Sequence, residues 1–308
     1  MINQDYRFSE NLMEHDNKFE FLTKLYSSNN FPNVLMLTGD KGIGKSTLIH
    51  HFLNFIYDKK GYDLKNKIVN FDTNFNNQYL NKSFPNVIYM NGDLFKNIKI
   101  DDIRQLKTQL SKTTILDMPR FIILDGVELF NINSLNALLK MIEEPSADNF
   151  FILINNKIKK LVDTIHSRAL EIKIFLNNIS RIKVIEYLLK KNNIKVSIDY
   201  KSTSLSPGIF LFYNEIVNDL KIDINSYLLD NIEKTLQLFK KNKNTNLIGF
   251  LLFLTDYHFK NLKERDNLNF EKILECKSYV NDNINKFFTY NLNQTSLINI
   301  LSNKLSNG

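Results

Sequence analysis

The sequence predicts an α/β domain built on a parallel sheet, followed by a run of helices. In the first half, short apolar segments alternate with helical patterns, as in strands joined by crossover helices. After Phe175 the strand patterns nearly vanish while helical periodicity continues. The 308 residues also exceed the size of one simple core, so we expect two or three domains.

Five short apolar segments are predicted to form the sheet. They are VLMLT (34–38), VIYM (87–90), RFIILD (120–125), NFFILIN (149–155) and LEIKIF (170–175). Near-continuous apolar runs of this length are typical of parallel strands that are covered on both faces.

Helical periodicity predicts the elements between and after these strands. In IDDIRQLKTQL (100–110), for example, Ile100, Ile103, Leu106 and Leu110 share one face. The other predicted helices cover 46–58, 133–144 (ending before Pro145), 180–194, 227–241 and 247–264.

The remaining segments suggest how the domains are divided. Residues 58–84 are polar and rich in asparagine, which predicts a surface excursion with a small amount of local structure, and Ser206-Pro207-Gly208 interrupts the helical region. We expect an α/β domain over 1–176, a small helical lid over 177–225 and a helical C-terminal domain over 226–308.

Composition is that of a globular protein, with 43% hydrophobic and 24% charged residues. No apolar run is long enough to span a membrane, the amino terminus has no signal-peptide core, and Cys276 is the single cysteine. We therefore expect a cytoplasmic protein without membrane contact. The net charge of +7 is compatible with nucleic-acid binding, but a lysine-rich compositional bias explains it equally well.

The segment TGDKGIGKSTL (38–48) predicts a nucleotide site. It satisfies the phosphate-loop pattern G-x-x-x-x-G-K-[ST] in full and lies between a predicted strand and a predicted helix. Loop N–H groups would hold phosphate, the lysine would neutralise it, and the serine would bind Mg²⁺. The alternative is an ordinary glycine turn capped by serine. The candidate nucleotide-binding residues are Gly39, Gly42, Gly44, Lys45, Ser46 and Thr47.

FIILDGVELF (121–130) predicts the second half of that site. Asp125 follows four apolar residues and would present a carboxylate to Mg²⁺, together with Ser46. The next residue, which normally supplies the carboxylate that activates water, is Gly126, and Glu128 is expected to point elsewhere. We therefore expect ATP or ADP to be bound with Mg²⁺ but hardly hydrolysed.

The order and spacing of these motifs resemble the clamp-loader branch of the AAA+ ATPases, and within it the delta-prime subunits of bacterial DNA polymerase III. The resemblance covers about residues 1–210. It rests on FPNVLMLTGDKGIGKSTL, IDDIRQLKTQL, RFIILDGVELFNINSLNALLKMIEEP, FFILINN and LVDTIHSRALEIKIF. It implies a P-loop (AAA+) parallel-sheet domain, a helical lid and an all-α C-terminal collar that joins subunits.

The resemblance also implies roles for single residues. Ser167-Arg168-Ala169 matches a Ser-Arg-Cys motif whose arginine acts as a finger on the neighbouring subunit's ATP, although a solvated basic residue is the alternative. Asn155 matches the sensor of the γ-phosphate, with Asn156 as an alternative. Ile209 stands where relatives carry a nucleotide-sensing arginine, so that contact is missing.

No zinc is expected. Many relatives hold zinc through four cysteines in the excursion after the first phosphate-loop helix, and residues 58–84 contain none. His50 and His51 are adjacent on the predicted helix, so their side chains point apart and we interpret them as helix residues.

The implied function is that of a largely non-hydrolysing stator that helps load the sliding clamp onto primed DNA during replication. Its partners would be clamp-loader subunits of the gamma/tau and delta types, the sliding clamp and, through the complex, primer-template DNA. Two alternatives remain: an active gamma/tau-type ATPase with Glu128 or another carboxylate as the base, or an AAA+ protein that acts elsewhere in DNA metabolism.

Overall fold

The computed structural model describes residues 8–92, 98–112, 116–144, 148–265 and 270–306. Pro145, before which the helix 133–144 was expected to end, lies outside these ranges. The described strands are β1 (Val34–Thr38), β2 (Tyr62–Asp63), β3 (Ile68–Val69), β4 (Val87–Asn91), β5 (Arg120–Asp125), β6 (Asn149–Asn155) and β7 (Leu170–Lys173).

Helices surround and follow these strands. They are α1 (Asp16–Ser27), α2 (Lys45–Tyr57), α3 (Asn74–Leu80), α4 (Ile100–Leu110), α5 (Ile132–Glu143), α6 (Asp163–His166), α7 (Asn178–Lys191), α8 (Pro207–Asp219), α9 (Leu228–Asn242), α10 (Asn246–Arg265), α11 (Phe270–Tyr290) and α12 (Gln294–Ser306). None of the described helices combines the length and the apolar character that crossing a membrane requires.

The five predicted strands form one parallel sheet in the order β4-β5-β6-β1-β7. The register pairs Thr38, before the phosphate loop, with Asn155 at the end of β6. Asp125 at the end of β5 pairs with Asn91 on β4 and with Ile154 on β6. The candidate residues that follow the strands therefore lie at one edge of the sheet, where their carboxyl ends meet.

Alternate residues of the central strands face opposite sides and build two cores. On one side Leu35, Leu37 and Ile123 pack with α1 and α2. On the other, Met36, Ile122 and Leu124 pack with residues of α4 and α5. This burial on both faces explains the unbroken apolar strands and confirms the α/β prediction for the first part of the chain.

The excursion over 58–84 has more structure than predicted. The strands β2 and β3 form an antiparallel pair and are followed by α3, which Thr73 caps by accepting from the Asn76 N–H. Tyr62, Val69, Phe75 and Tyr79 are buried against the α2 side of the sheet. The aromatic residues of this segment follow no sustained periodicity, so the sequence did not indicate that they belong to the core.

Several further helices were not predicted individually, among them α1 and α8. The helix α1 precedes β1, and Phe19 and Leu22 anchor it in the core. The helix α8 begins at Pro207, within the segment interpreted as an interruption. Proline is favoured at the first position of a helix because the N–H that it lacks would be unpaired there.

Backbone contacts divide the chain into two compact units. The first runs to residue 194 and adds 200–211, while the second takes 195–199 and the described residues from 212 onward. Within the second unit α10 packs against α9 and α11, and α12 packs against α11 and α9. The C-terminal region is thus helical, as predicted, and the division into three domains stays a prediction.

Candidate nucleotide-binding site

The phosphate loop joins β1 to α2 and leads directly into the helix. Gly44 precedes the helix with φ of 102°, in the left-handed region that side chains rarely adopt. A Cβ at Gly44 would also lie 2.9 Å from His15 Nε2. Both the backbone and the space around it require glycine here, which explains the last glycine of the motif.

Lys45 is the first residue of α2, and its side chain folds back into the loop. It is only 4% exposed, and its Nζ donates to the carbonyl oxygens of Gly39 at 2.6 Å and Asp40 at 2.8 Å. Burial lowers the pKa of Lys45 to about 8, against the opposing effect of Asp125 and other carboxylates. A buried ammonium held mainly by carbonyl groups is suited to an added anion.

Ser46 and Thr47 follow in the first turn of α2 and are partly buried. The residue at the N-cap of α2 is Gly44, which has no side chain to cap the helix start. Backbone N–H groups at a helix start favour an anion. The cradle therefore fits the phosphates of a nucleotide.

Two contacts to the loop were not predicted. The buried imidazole of His15, just before α1, lies with its Nε2 2.8 Å from the Ile43 carbonyl oxygen. From the other side, Ser206 Oγ donates to the Lys41 carbonyl oxygen at 2.5 Å and the Gly208 N–H donates to that of Gly42 at 2.8 Å. The Ser-Pro-Gly segment was visible in the sequence, but nothing there showed that it touches the loop.

Asp125 ends β5, and its charge favours the protonated form of Lys45 in the loop. Its Oδ2 accepts from Tyr89 Oη at 2.6 Å, and its Oδ1 accepts from Asn156 Nδ2 at 3.2 Å. The Asn155 side chain instead accepts from the Lys157 N–H at 2.9 Å, beside Thr38 of β1. Asn156, the alternative sensor, is therefore the asparagine that contacts Asp125.

Gly126 has φ of 65°, in the left-handed region. A Cβ there would lie 3.1 Å from the Gly92 carbonyl oxygen, which is closer than most real Cβ contacts. The main chain of this turn therefore favours glycine. The residue at the position of a catalytic carboxylate thus has no side chain.

Glu128 lies in the short 3₁₀ turn after Gly126 and is buried. Its Oε1 accepts from the N–H groups of Asn156 at 3.1 Å and Ile158 at 3.4 Å, and burial raises its pKa. The Glu128 carboxylate therefore holds the loop after β6. This geometry agrees with the expectation that the side chain does not occupy the position of a water-activating base.

Arg168 follows α6 in the first unit. Its Nη2 lies 2.6 Å from Glu143 Oε1, its Nε donates to the same oxygen at 3.0 Å, and its Nη1 donates to the Thr164 carbonyl oxygen at 3.0 Å. The arginine side chain is 35% exposed. It lies at the surface in a defined orientation, held by the end of α5.

His50 and His51 are α2 residues, as interpreted, and both are buried. His50 Nε2 contacts Asn76 Oδ1 at 2.6 Å, and its ring stacks on those of Phe71 and Tyr79. Among the described residues no group of three His, Cys, Asp or Glu side chains is placed to hold a metal ion.

The family described as "DNA polymerase III, delta subunit" matches residues 14–177, more than half of the chain. The chain belongs to this clamp-loader family. The match ends close to the predicted end of the α/β domain and includes the phosphate loop, Asp125 and Arg168. The resemblance to clamp-loader AAA+ proteins is thereby confirmed.

Curated relatives carry two kinds of clamp-loader name. A DNA polymerase III subunit delta' of Pseudomonas aeruginosa is 37% identical over 25% of this chain and 23% of its own length. A subunit gamma of Buchnera aphidicola subsp. Schizaphis graminum is 27% identical over 52% of this chain and 45% of its own length. The chain thus aligns with less than half of either protein.

Solved structures of similar proteins cover most of the chain. A gamma subunit-related protein of Thermotoga maritima has a TM-score of 0.47 and 18% identity, covering 93% of this chain and 98% of its own. The Bacillus subtilis clamp loader delta protein has a TM-score of 0.37 and 11% identity, covering 94% and 98%.

Proposed function

We propose that this clamp-loader protein is a delta-prime-type stator of the DNA polymerase III clamp loader. It binds ATP or ADP with Mg²⁺, hydrolyses it little, and offers Arg168 to the nucleotide of a neighbouring subunit. It works in the cytoplasm with gamma/tau-type and delta-type subunits, the sliding clamp and, through the complex, primer-template DNA. The delta' names among its relatives support this assignment.

The observation that carries the proposal is a complete phosphate cradle beside a turn with glycine at the position of the catalytic base. Lys45 is buried within the loop and would pair with the phosphates, while Ser46 and Asp125 would hold the Mg²⁺. When bound, the metal neutralises phosphate charge. Gly126 has no side chain to activate water, and Glu128 is engaged with the backbone of the loop after β6.

A stator needs its nucleotide for stability rather than for turnover. A ligand that binds only the folded state stabilises it in proportion to the logarithm of its concentration over its Kd, whether or not it is ever cleaved. Ile209, which lies against Gly42, cannot contact a phosphate as a sensing arginine would. Retained binding and lost hydrolysis are therefore compatible in one chain.

An active gamma/tau-type ATPase is the rival function, because gamma subunits also stand among the relatives. In one form of that function Glu128 would reach water at the γ-phosphate. Two backbone N–H groups hold its Oε1 against the loop after β6, and this contact supports the stator proposal.

The experiment compares nucleotide binding with turnover in the purified chain. We expect ADP and ATP to bind, and phosphate release to stay near background with the sliding clamp and primed DNA present. Lys45→Ala removes the buried cation and should weaken binding about tenfold or more. Brisk ATP hydrolysis by the unsubstituted chain alone would contradict the stator assignment.

A further inference from the structure

The loop after β6 brings a second lysine to the phosphate loop. Lys157 Nζ lies 3.6 Å from Asp40 Oδ1, and Asp40 directly follows the first glycine of the phosphate-loop motif. Burial is the main cause of the lowered pKa of Lys45, and the positive charge of Lys157 lowers that pKa further. Two cations from different segments of the chain are therefore close enough to influence each other at this loop.

Hydrogen bonds fix the main chain from which Lys157 extends. The Lys157 N–H donates to Asn155 Oδ1 at 2.9 Å, and its φ of 58° lies in the left-handed region. On either side, the N–H groups of Asn156 and Ile158 donate to Glu128 Oε1 at 3.1 and 3.4 Å. Both acceptor residues, Asn155 and Glu128, are buried. The Lys157 side chain thus starts from a fixed point and ends at the phosphate loop.

The position of Lys157 corresponds to one end of the nucleotide site. Lys45 Nζ donates to the Asp40 carbonyl oxygen at 2.8 Å, so both ammonium groups lie beside the same residue. In a phosphate loop the N–H groups hold the α and β phosphates, while the lysine reaches the β and γ phosphates. Lys157 therefore lies at the end of the site where a terminal phosphate would be held.

We propose that Lys157 is a second phosphate-binding cation, which contacts the terminal phosphate and shifts the preference of the site toward a nucleoside triphosphate over a diphosphate. The inference rests on the proposed nucleotide binding and names the ligand class of that site. Ile209, which lies against Gly42, brings no charge to the phosphate loop. Lys157 supplies positive charge from the loop after β6.

The ion pair with Asp40 leaves Lys157 available for this role. The Lys157 side chain is 55% exposed and that of Asp40 is 75% exposed, and exposed pairs contribute little free energy. A terminal phosphate carries about two negative charges at neutral pH, whereas a carboxylate carries one. Lys157 is therefore attracted more strongly by the phosphate, and it also offsets the repulsion between the phosphate and Asp40.

The test measures two Kd values by calorimetry with Mg²⁺ present, for the full chain and for Lys157→Gln. The ligands are ADP and AMP-PNP, a triphosphate analogue that resists hydrolysis. Glutamine removes the charge and keeps much of the length of the side chain. We expect Lys157→Gln to weaken AMP-PNP binding about tenfold and ADP binding less than about threefold, since the lost charge lies nearer the terminal phosphate. Lys157→Arg, which keeps the charge, should preserve the preference.

Lys159→Gln is the matched control, because Lys159 is another exposed lysine of the same loop. It should leave both Kd values nearly unchanged, since salt screens exposed charges that do not contact the ligand. An Asp40→Asn background separates phosphate binding from neutralisation of Asp40. There, Lys157→Gln should still weaken AMP-PNP binding several-fold, whereas a lysine that only neutralised Asp40 would cause no further loss.

The outcomes separate the role of Lys157 from nucleotide binding itself. If both ligands bind but Lys157→Gln weakens them equally or not at all, the role of Lys157 is refuted and nucleotide binding stands. An equal loss in Lys159→Gln refutes that role, as does a loss that disappears in the Asp40→Asn background. If neither ADP nor AMP-PNP binds the unsubstituted chain, the proposed function fails and the inference fails with it.

Discussion

At the scale of single residues, Arg168 lies at the surface in a defined orientation, as the proposed contact with a neighbouring subunit requires. Its guanidinium spans the Glu143 carboxylate and the Thr164 carbonyl oxygen, so its direction is set without a neighbouring subunit. Exposed ion pairs of this kind contribute little to stability, about 0–1 kcal/mol. The pair with Glu143 is therefore better understood as orienting the arginine than as stabilising the fold.

Arg168→Ala should lower ATP hydrolysis at the neighbouring site of a reconstituted clamp loader by on the order of 10³-fold or more, because an arginine finger stabilises charge on the transferred phosphoryl group. Single-turnover hydrolysis is the measurement, with assembly checked by size-exclusion chromatography. Arg104→Ala, which breaks a similar exposed pair with Asp101, is the matched control and should leave the rate unchanged. Equal rates for Arg168→Ala and Arg104→Ala would rule out the finger.

At the scale of elements, the turn after β5 determines how much space a side chain at position 126 would have. The main chains of Gly126 and Gly92 lie close together. A Cβ on Gly92 would lie 2.5 Å from the Gly126 carbonyl oxygen, and a Cβ on Gly126 would lie 3.1 Å from the Gly92 carbonyl oxygen. The Gly92 N–H also donates to the Asp125 carbonyl oxygen at 2.7 Å. Glycine in place of a base at position 126 thus fits the close packing of two main-chain segments.

Gly126→Glu should therefore fail to create an ATPase. The substitution forces a side chain into the left-handed region and should lower the free energy of unfolding by about 1–2 kcal/mol. Gly126→Ala is the control for the backbone cost alone and should show a similar loss without a carboxylate. Urea unfolding and phosphate release measure the two effects. Brisk hydrolysis with undiminished stability in Gly126→Glu would show that the turn tolerates a base.

The same scale explains which elements the sequence could predict. The three central strands β1, β5 and β6 are continuous apolar runs because both of their faces are buried, so their pattern is strong and local. The phosphate loop was equally clear, because its glycines and Lys45 must stand at fixed spacing. The hairpin β2–β3 and the helix α3 are short, and their buried aromatic residues follow no period, so their place in the core depends on packing that no local pattern encodes.

The contacts between distant segments were harder to predict for a related reason. His15 on Ile43, Ser206 on Lys41 and Tyr89 on Asp125 join residues that are far apart in the chain. Their pairing follows from sheet register and from the path of loops. A tyrosine in an apolar strand looks like any core residue until the register shows that its hydroxyl reaches the aspartate.

At the scale of the whole molecule, buried histidines make folding stability depend on pH. His50 and His51 sit on α2 at the centre of the first unit, and burial lowers their pKa values to about 3 and about 4. His50 Nδ1 has no hydrogen-bond partner in the part of the chain that the structure describes, so a proton added there would be unsatisfied. Both rings are therefore neutral in the folded protein at ordinary pH.

Folding stability should fall as the pH drops below about 6.5, because the unfolded chain takes up protons that the folded chain refuses. The loss continues until the pH reaches the folded pKa values. Between pH 7.5 and 5.5 it amounts to about 1.4 kcal/mol for each histidine. Urea unfolding followed through the α/β unit is the measurement. His50→Gln should reduce the slope of the unfolding free energy against pH. His166→Gln, at a more exposed position, is the comparison variant. Equal slopes for the two variants would contradict the assignment.

The paired glycines at 92 and 126 also have an evolutionary consequence. A lineage that lost its catalytic glutamate by simple replacement could recover it through one reversal. Here a Cβ at position 126 would lie 3.1 Å from the Gly92 carbonyl oxygen, and the backbone is left-handed, so we expect a reversal to lower the stability of the turn. Under the proposed stator function, the non-hydrolysing state would therefore be harder to reverse than one that arose by a replacement in an unstrained turn.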